Sequence, residues 1–220
     1  MAEKAFCIHR FMEILSKAYK EWNAPVISLM AATGATPFAV LVATLLSLRT
    51  KDEVTEAAAL RLLHEADTPE AVLSLGEERI RELIFPVGFY PTKAMRLVEI
   101  CSILIRQYAG KVPRTMEELL ALPGVGRKTA NLVLIEGFGL PGICVDTHVH
   151  RISNRLAYVS TKTPEQTEMV LRRILPSEYW ISYNEILVAF GQTLCRPLSP
   201  WCSRCPVAAL CPRKGVERSR

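Results

Sequence analysis

The 220-residue chain has no long hydrophobic run. Its longest, Pro37 to Leu48, spans 12 residues and contains Thr44 and Ser47. A membrane-spanning helix needs about 20, so no membrane segment is expected. A secretory leader is not expected either, because Glu3, Lys4, His9, Arg10 and Glu13 interrupt the apolar positions at the start where a leader carries an unbroken apolar stretch. Gly-X-Y periodicity, heptads and internal repeats are missing, which excludes fibres and solenoids. Strict alternation of apolar and polar residues, the mark of a half-buried strand, is almost absent. A surplus of one charge is small as well, 27 basic residues against 22 acidic, in a chain that is 50% hydrophobic. That balance excludes a disordered polyelectrolyte. What remains is a soluble, cytoplasmic protein with a real core, in one large domain or two small ones.

The stretches between the 14 prolines read as helices. Ile8, Phe11, Met12, Leu15, Tyr19 and Trp22 recur at helical spacing, with Lys17, Lys20 and Glu21 between them. Thr68-Pro69 and Thr163-Pro164 have the form of an N-cap followed by a first-turn proline. Thr163 with Gln166, Thr115 with Glu118 and Thr50 with Glu53 have capping-box spacing. A helix is expected from Lys93 to Tyr108, stopped by Gly110. The fold class is all-α.

The small net charge is concentrated. From Gly191 onward Arg196, Arg204, Arg213, Lys214, Arg218 and Arg220 face Glu217 alone, which accounts for the whole formal +5. A neutral body with a basic end suits a polyanionic partner, although a solvated tail fits charge alone equally well. The same segment holds Cys195, Cys202, Cys205 and Cys211, spaced C-x6-C-x2-C-x5-C. Clustered thiols in a reducing compartment favour metal over disulfides. Pro197, Pro200, Pro206 and Pro212 stiffen the loop that would wrap the centre. Four thiolates suit zinc or a [4Fe–4S] cluster, and spacing alone leaves both open. Cys7, Cys101 and Cys144 sit among apolar neighbours and read as reduced core residues.

A second signal is the run Leu122-Pro123-Gly124-Val125-Gly126-Arg127-Lys128-Thr129-Ala130. It is not a Walker loop, because Arg127 rather than lysine follows Gly126, and not a dinucleotide fingerprint, because the preceding segment is helical. It reads as a helix-hairpin-helix over about 116–136. The glycines permit close backbone approach, and the N–H groups of Gly124, Val125, Gly126 and Arg127 are expected to face a DNA phosphate. Lys128 would lie in the first turn of the second helix. There the helix dipole and Arg127 both disfavour its ammonium, as a lysine nucleophile requires, although a plain phosphate contact fits the residue as well. Asp146 reads as the N-cap of a helix carrying Val149, Ile152 and Leu156, which would also hold its carboxylate ionised and still. His148 is read as a phosphate contact and His150 as a helix-surface residue.

Together, LPGVGRKTA at Leu122–Ala130, VDTH at Val145–His148 and the cysteine tail resemble the endonuclease III family of DNA glycosylases, with LLSLRTKD at Leu45–Asp52 and VGFYPTKA at Val87–Ala94 extending the likeness. The resemblance implies two lobes with a DNA cleft between them: a six-helix bundle over 30–140, and a lobe of 1–29 plus 141–220 with a [4Fe–4S] cluster on Cys195, Cys202, Cys205 and Cys211 (zinc being the alternative). It implies a monomer acting on double-stranded DNA with damaged bases or abasic sites, nucleoid-associated if bacterial. Lys128 would attack C1′ of an extruded oxidised pyrimidine, and Asp146 would support the developing positive charge. Arg49 stands where many relatives have glutamine and Phe89 where many have leucine, as the pair that fills the gap left by the base. Two other readings stay open: a monofunctional mismatch or damaged-base glycosylase, and a non-enzymatic DNA-binding protein with a metal-stapled tail.

Overall fold

The computed structural model describes residues 6–22 and 24–220; Glu3 and Lys4 lie outside that range. In chain order the helices are α1 (Ile8–Tyr19), α2 (Val26–Ala32), α3 (Pro37–Ser47), α4 (Asp52–Glu65), α5 (Pro69–Ile84), α6 (Tyr90–Tyr108), α7 (Met116–Leu120), α8 (Arg127–Leu132), α9 (Thr147–Arg155), α10 (Pro164–Ile174) and α11 (Ser182–Thr193). Among the described residues there is no strand, and no helix is long and apolar enough to cross a membrane. The fold class is all-α.

Capping explains where several of these helices begin. The Thr68, Thr115, Thr163 and Asp146 side chains each accept a backbone N–H three residues on. Each thereby satisfies one of the donors that a helix start leaves without a partner. The Gln166 side chain reaches back past the cap to the residue before it, accepting from Lys162 N–H at 2.9 Å. α6 starts three residues earlier than its periodicity suggests, after Phe89, and ends at two left-handed residues, Ala109 and Gly110. The Gly110 N–H there reaches back to the Leu104 carbonyl at 2.9 Å. Past Leu132, α8 loosens into a π-helical turn over Val133–Gly137.

The chain divides into two compact units, Val26–Gly142 and Met1–Pro25 with Ile143–Arg220. In the first, α3 is apolar on every side, with Phe38, Val40, Leu41, Val42, Ala43, Leu45 and Leu46 buried. A helix with that pattern belongs at the centre of a bundle, and α2, α4, α6 and α8 surround it. Its one buried hydroxyl, Thr44, donates to the Val40 carbonyl at 2.7 Å, so burial leaves no donor without a partner. In the second unit Phe11, Leu15, Val149, Ile152, Leu171, Tyr183, Leu187 and Phe190 form the core that joins α1, α9, α10 and α11.

Candidate active site

In the Val26–Gly142 unit, α7 and α8 are joined by a tight turn. Gly124 takes φ +78°, which only glycine adopts without strain, and Gly126 precedes α8 with no side-chain cap on it. Lys128 is the second residue of α8 and half-buried. One expectation is corrected here. The Val125 N–H closes the turn onto the Leu122 carbonyl at 3.1 Å, and the Val125 side chain is buried. The turn's internal geometry therefore removes that N–H from the set expected to face a phosphate.

Beside the hairpin is an open cavity of about 420 Å³, lined by Leu45, Leu48, Arg49, Phe89, Lys93, Arg96 and Gly124 among others. Arg49 and Phe89, which the sequence separates by half a domain, come together on it, with the guanidinium 5.6 Å from the ring centroid. Phe89 is 61% exposed, and both residues sit in the left-handed region, at φ 55° and 58°. A bulky side chain in that region costs about 1–3 kcal/mol and is kept where neighbours enforce it. Gly88 lets the two loops approach, since a Cβ there would lie 2.6 Å from the Arg49 carbonyl oxygen.

The capping box expected of Thr50 with Glu53 does not form, because Lys51 is the N-cap of α4 and has no side-chain cap bond. The Thr50 hydroxyl accepts instead from Gly88 N–H and from Lys93 Nζ, each at 3.2 Å. Long-range partners won over local ones. Lys93 also donates to the Leu46 and Leu48 carbonyls at 2.8 and 2.6 Å, at the C-terminal end of α3. Burial pulls this lysine down to about 8. Lys93 lies inside the VGFYPTKA run, yet its spacing reads as one more exposed helical lysine.

In the other unit, Asp146 accepts the Val149 N–H at 2.8 Å and so starts α9. Nδ1 of His148 is held by Arg151 Nη2 at 3.1 Å, and the ring packs on Gly191, where a Cβ would stand 2.3 Å from it. His150 is no surface residue: its Nδ1 lies 2.7 Å from the Thr167 hydroxyl, tying α9 to α10. Helical spacing placed it outside, and α10 covers that face.

The four tail cysteines line one cavity with Ile152, Leu156, Phe190, Trp201 and Val207. Arg155, only 8% exposed, donates to Cys195 Sγ at 3.4 Å and to the Arg196 and Pro197 carbonyls at 2.7 Å each. The Arg213 N–H donates to Cys211 Sγ at 3.3 Å. Burial pushes the Cys205 thiol up to about 11. Among the described residues no three His, Cys, Asp or Glu side chains form a single-ion site. The basic end is anchored rather than loose. Arg220 N–H donates to the Pro200 carbonyl at 2.8 Å and Ser203 N–H to the Arg220 carbonyl at 2.9 Å. The Trp201 ring carries Arg204 and Arg220 at 5.7 and 5.0 Å from its centroid. Sequence reading missed Arg155 and Lys93, since nothing local distinguishes either from a surface cation.

Comparison with known proteins adds four findings. Residues 42–177 match the model of the HhH-GPD superfamily base excision DNA repair proteins. The chain is 50% identical over 169 residues to endonuclease III of Thermotoga maritima, covering 77% of this chain and 79% of that protein. It is 49% identical over 185 residues to the chloroplastic endonuclease III homologue 2 of Arabidopsis thaliana, where it covers 80% of this chain but spans only 48% of the plant protein. A solved structure of a trapped endonuclease III–DNA covalent intermediate superimposes with a TM-score of 0.79 at 33% identity, covering 93% of this chain and 95% of that one. A family pattern across more than half of the residues, on an all-helical chain with a Gly-Val-Gly hairpin, makes the protein a member of the HhH-GPD superfamily of base excision DNA repair proteins, in its endonuclease III family.

Proposed function

We propose that this base-excision repair protein is a bifunctional DNA glycosylase and AP lyase that removes oxidised pyrimidines through Lys128. The observation that carries the reading is the position of Lys128. Its amine follows a glycine turn of the kind that grips a phosphate, at the second position of the helix that the turn opens. The trapped covalent complex of the related endonuclease III supports a covalent route. In that route the base is extruded, at a cost in stacking that is lowest for a damaged base. The neutral Lys128 amine then attacks C1′ and the base leaves with the glycosidic electron pair. Opening of the sugar ring at the C1′–O4′ bond gives an iminium that acidifies C2′–H; loss of that proton expels the 3′-phosphate and so breaks the strand 3′ to the lesion, and water releases the lysine. Asp146, held in place by its cap bond, would support the positive charge developing on the sugar. Arg49 and Phe89 would fill the space vacated by the base, with the guanidinium facing an orphaned guanine.

The donor set fits a cofactor at the other end of the chain. Cys195, Cys202, Cys205 and Cys211 surround one apolar cavity, and N–H donors already face two of the sulfurs, as thiolate ligands need. A tetrahedral zinc at about 2.3 Å from each sulfur would draw four thiols to one point. Membership of the endonuclease III family favours a [4Fe–4S] cluster over zinc on these four thiols. When bound, the group supplies four metal–thiolate bonds that close the 195–211 segment, and metal loading would release thiol protons. The exposed Arg204, Arg213, Lys214, Arg218 and Arg220 would face the duplex phosphates, at an intracellular site beside DNA.

Borohydride reduction of a reaction on a duplex carrying one oxidised pyrimidine tests the proposal. A covalent protein–DNA adduct is expected from the natural protein and none from Lys128→Ala. An adduct that survives in Lys128→Ala refutes the assignment, and base release without an adduct or a nick selects the monofunctional reading.

A further inference from the structure

Lys93 belongs to neither the hairpin nor the cysteine segment, yet it is among the most constrained cations in the protein. An ammonium has three protons, and each has an acceptor here: the Leu46 carbonyl at 2.8 Å, the Leu48 carbonyl at 2.6 Å and the Thr50 hydroxyl at 3.2 Å. With its donors saturated, Lys93 has none left for a DNA phosphate, so it is not one more surface contact. Its partners lie in two places. Leu46 and Leu48 are at the C-terminal end of α3, where a positive charge is favoured by the helix dipole and answers carbonyls that the helix leaves without partners. Thr50 is one step beyond Arg49, and its hydroxyl also receives the N–H of Gly88, the residue before Phe89.

The two loops therefore meet through one side chain from α6 and one hydroxyl. Each loop carries a left-handed residue, Arg49 in one and Phe89 in the other, a conformation that neither side chain favours by itself. Without the tie, both residues would relax towards ordinary backbone angles, and the pair facing the 420 Å³ cavity would separate.

We propose that Lys93, through Thr50, is the positioning residue of the base-extruding loops, holding Arg49 and Phe89 together as one wedge. The inference rests on the wedge role of Arg49 and Phe89 proposed above, and it adds that the wedge is preorganised from α6 rather than assembled by DNA.

A wedge matters only where a base must be pried from its partner. The test is the single-turnover rate of base release from 5-hydroxyuracil, measured in a duplex opposite guanine and in the same strand left single, and expressed as the ratio of the two. Lys93→Met keeps the stem and removes the donors, and its ratio is expected to fall on the order of 10- to 100-fold, the scale of a misplacement of about 1 Å. Thr50→Val is expected to lower the ratio in the same direction, and it carries the test if Lys93→Met fails to give a cooperative thermal transition. A general loss of structure would slow both substrates and leave the ratio where it was. Arg49→Ala with Phe89→Ala is the reference. If it lowers the ratio and the Lys93 and Thr50 variants do not, the positioning role is refuted while the wedge stands. If Arg49→Ala with Phe89→Ala leaves the ratio unchanged, the wedge reading itself is refuted.

Discussion

Replacing Asp146 by asparagine and by alanine separates two jobs assigned to one carboxylate. Its structural job is a single bond, Oδ1 accepting the Val149 N–H at 2.8 Å at the start of α9. Asparagine caps helices about as well as aspartate, whereas alanine loses about 1 kcal/mol, within a range of about 0.5–2. For a chain of this length 1 kcal/mol lowers the melting temperature by about 2–4 °C. Asp146→Asn should therefore melt with the natural protein, and Asp146→Ala should melt about 2–4 °C lower. The chemical job depends on charge alone. A fixed group placed at developing charge contributes about 10²–10³ in rate, or about 2.7–4 kcal/mol, which is several times the cap. Asp146→Asn should then slow single-turnover base release by about 10²–10³-fold while borohydride-free DNA binding stays intact. The effects differ enough in size to be read independently. Base release at the natural rate in Asp146→Asn would remove the carboxylate from the chemistry. Melting of Asp146→Asn alongside Asp146→Ala would instead show that the cap assignment is wrong.

Two further outcomes follow from buried groups in the same unit. Arg155→Met keeps the aliphatic stem but removes short charge-assisted bonds to the Arg196 and Pro197 carbonyls and the donor to Cys195 Sγ. At about 1.5 kcal/mol for each of the two short bonds, the low end because water reaches that loop, the loss should be about 3 kcal/mol in denaturant titration. A loss below about 1 kcal/mol would contradict the bond assignment. The Tyr183 hydroxyl is fully buried against Ser153 at 3.0 Å, and burial holds it above the ordinary tyrosine range. Above the unfolded value of about 10 the folded state keeps a proton that the unfolded state has lost, so stability falls as pH rises past 10. Tyr183→Phe should be less stable at neutral pH by about 1 kcal/mol but should lose less on going to about pH 11. Parallel pH profiles for the two proteins would count against this.

Local signals in the chain were sufficient for the helices and for the turn. Thr68, Thr115, Thr163 and Asp146 cap the helices that follow them because a cap bond joins residues three apart, a distance that spacing alone makes visible. The Gly-Val-Gly hairpin and the four-cysteine spacing are visible for the same reason. Tertiary structure decided which of several available partners a polar group takes. Thr50 has capping-box spacing, but Gly88 and Lys93 reach its hydroxyl first. His150 has surface spacing, but α10 covers it and supplies Thr167. Lys93 and Arg155 look like any other cations until folding surrounds them with carbonyl oxygens and, for Arg155, a sulfur. A hydrogen-bonding group responds to whichever acceptors lie within about 3 Å, and over long sequence separations only the packed chain determines which those are.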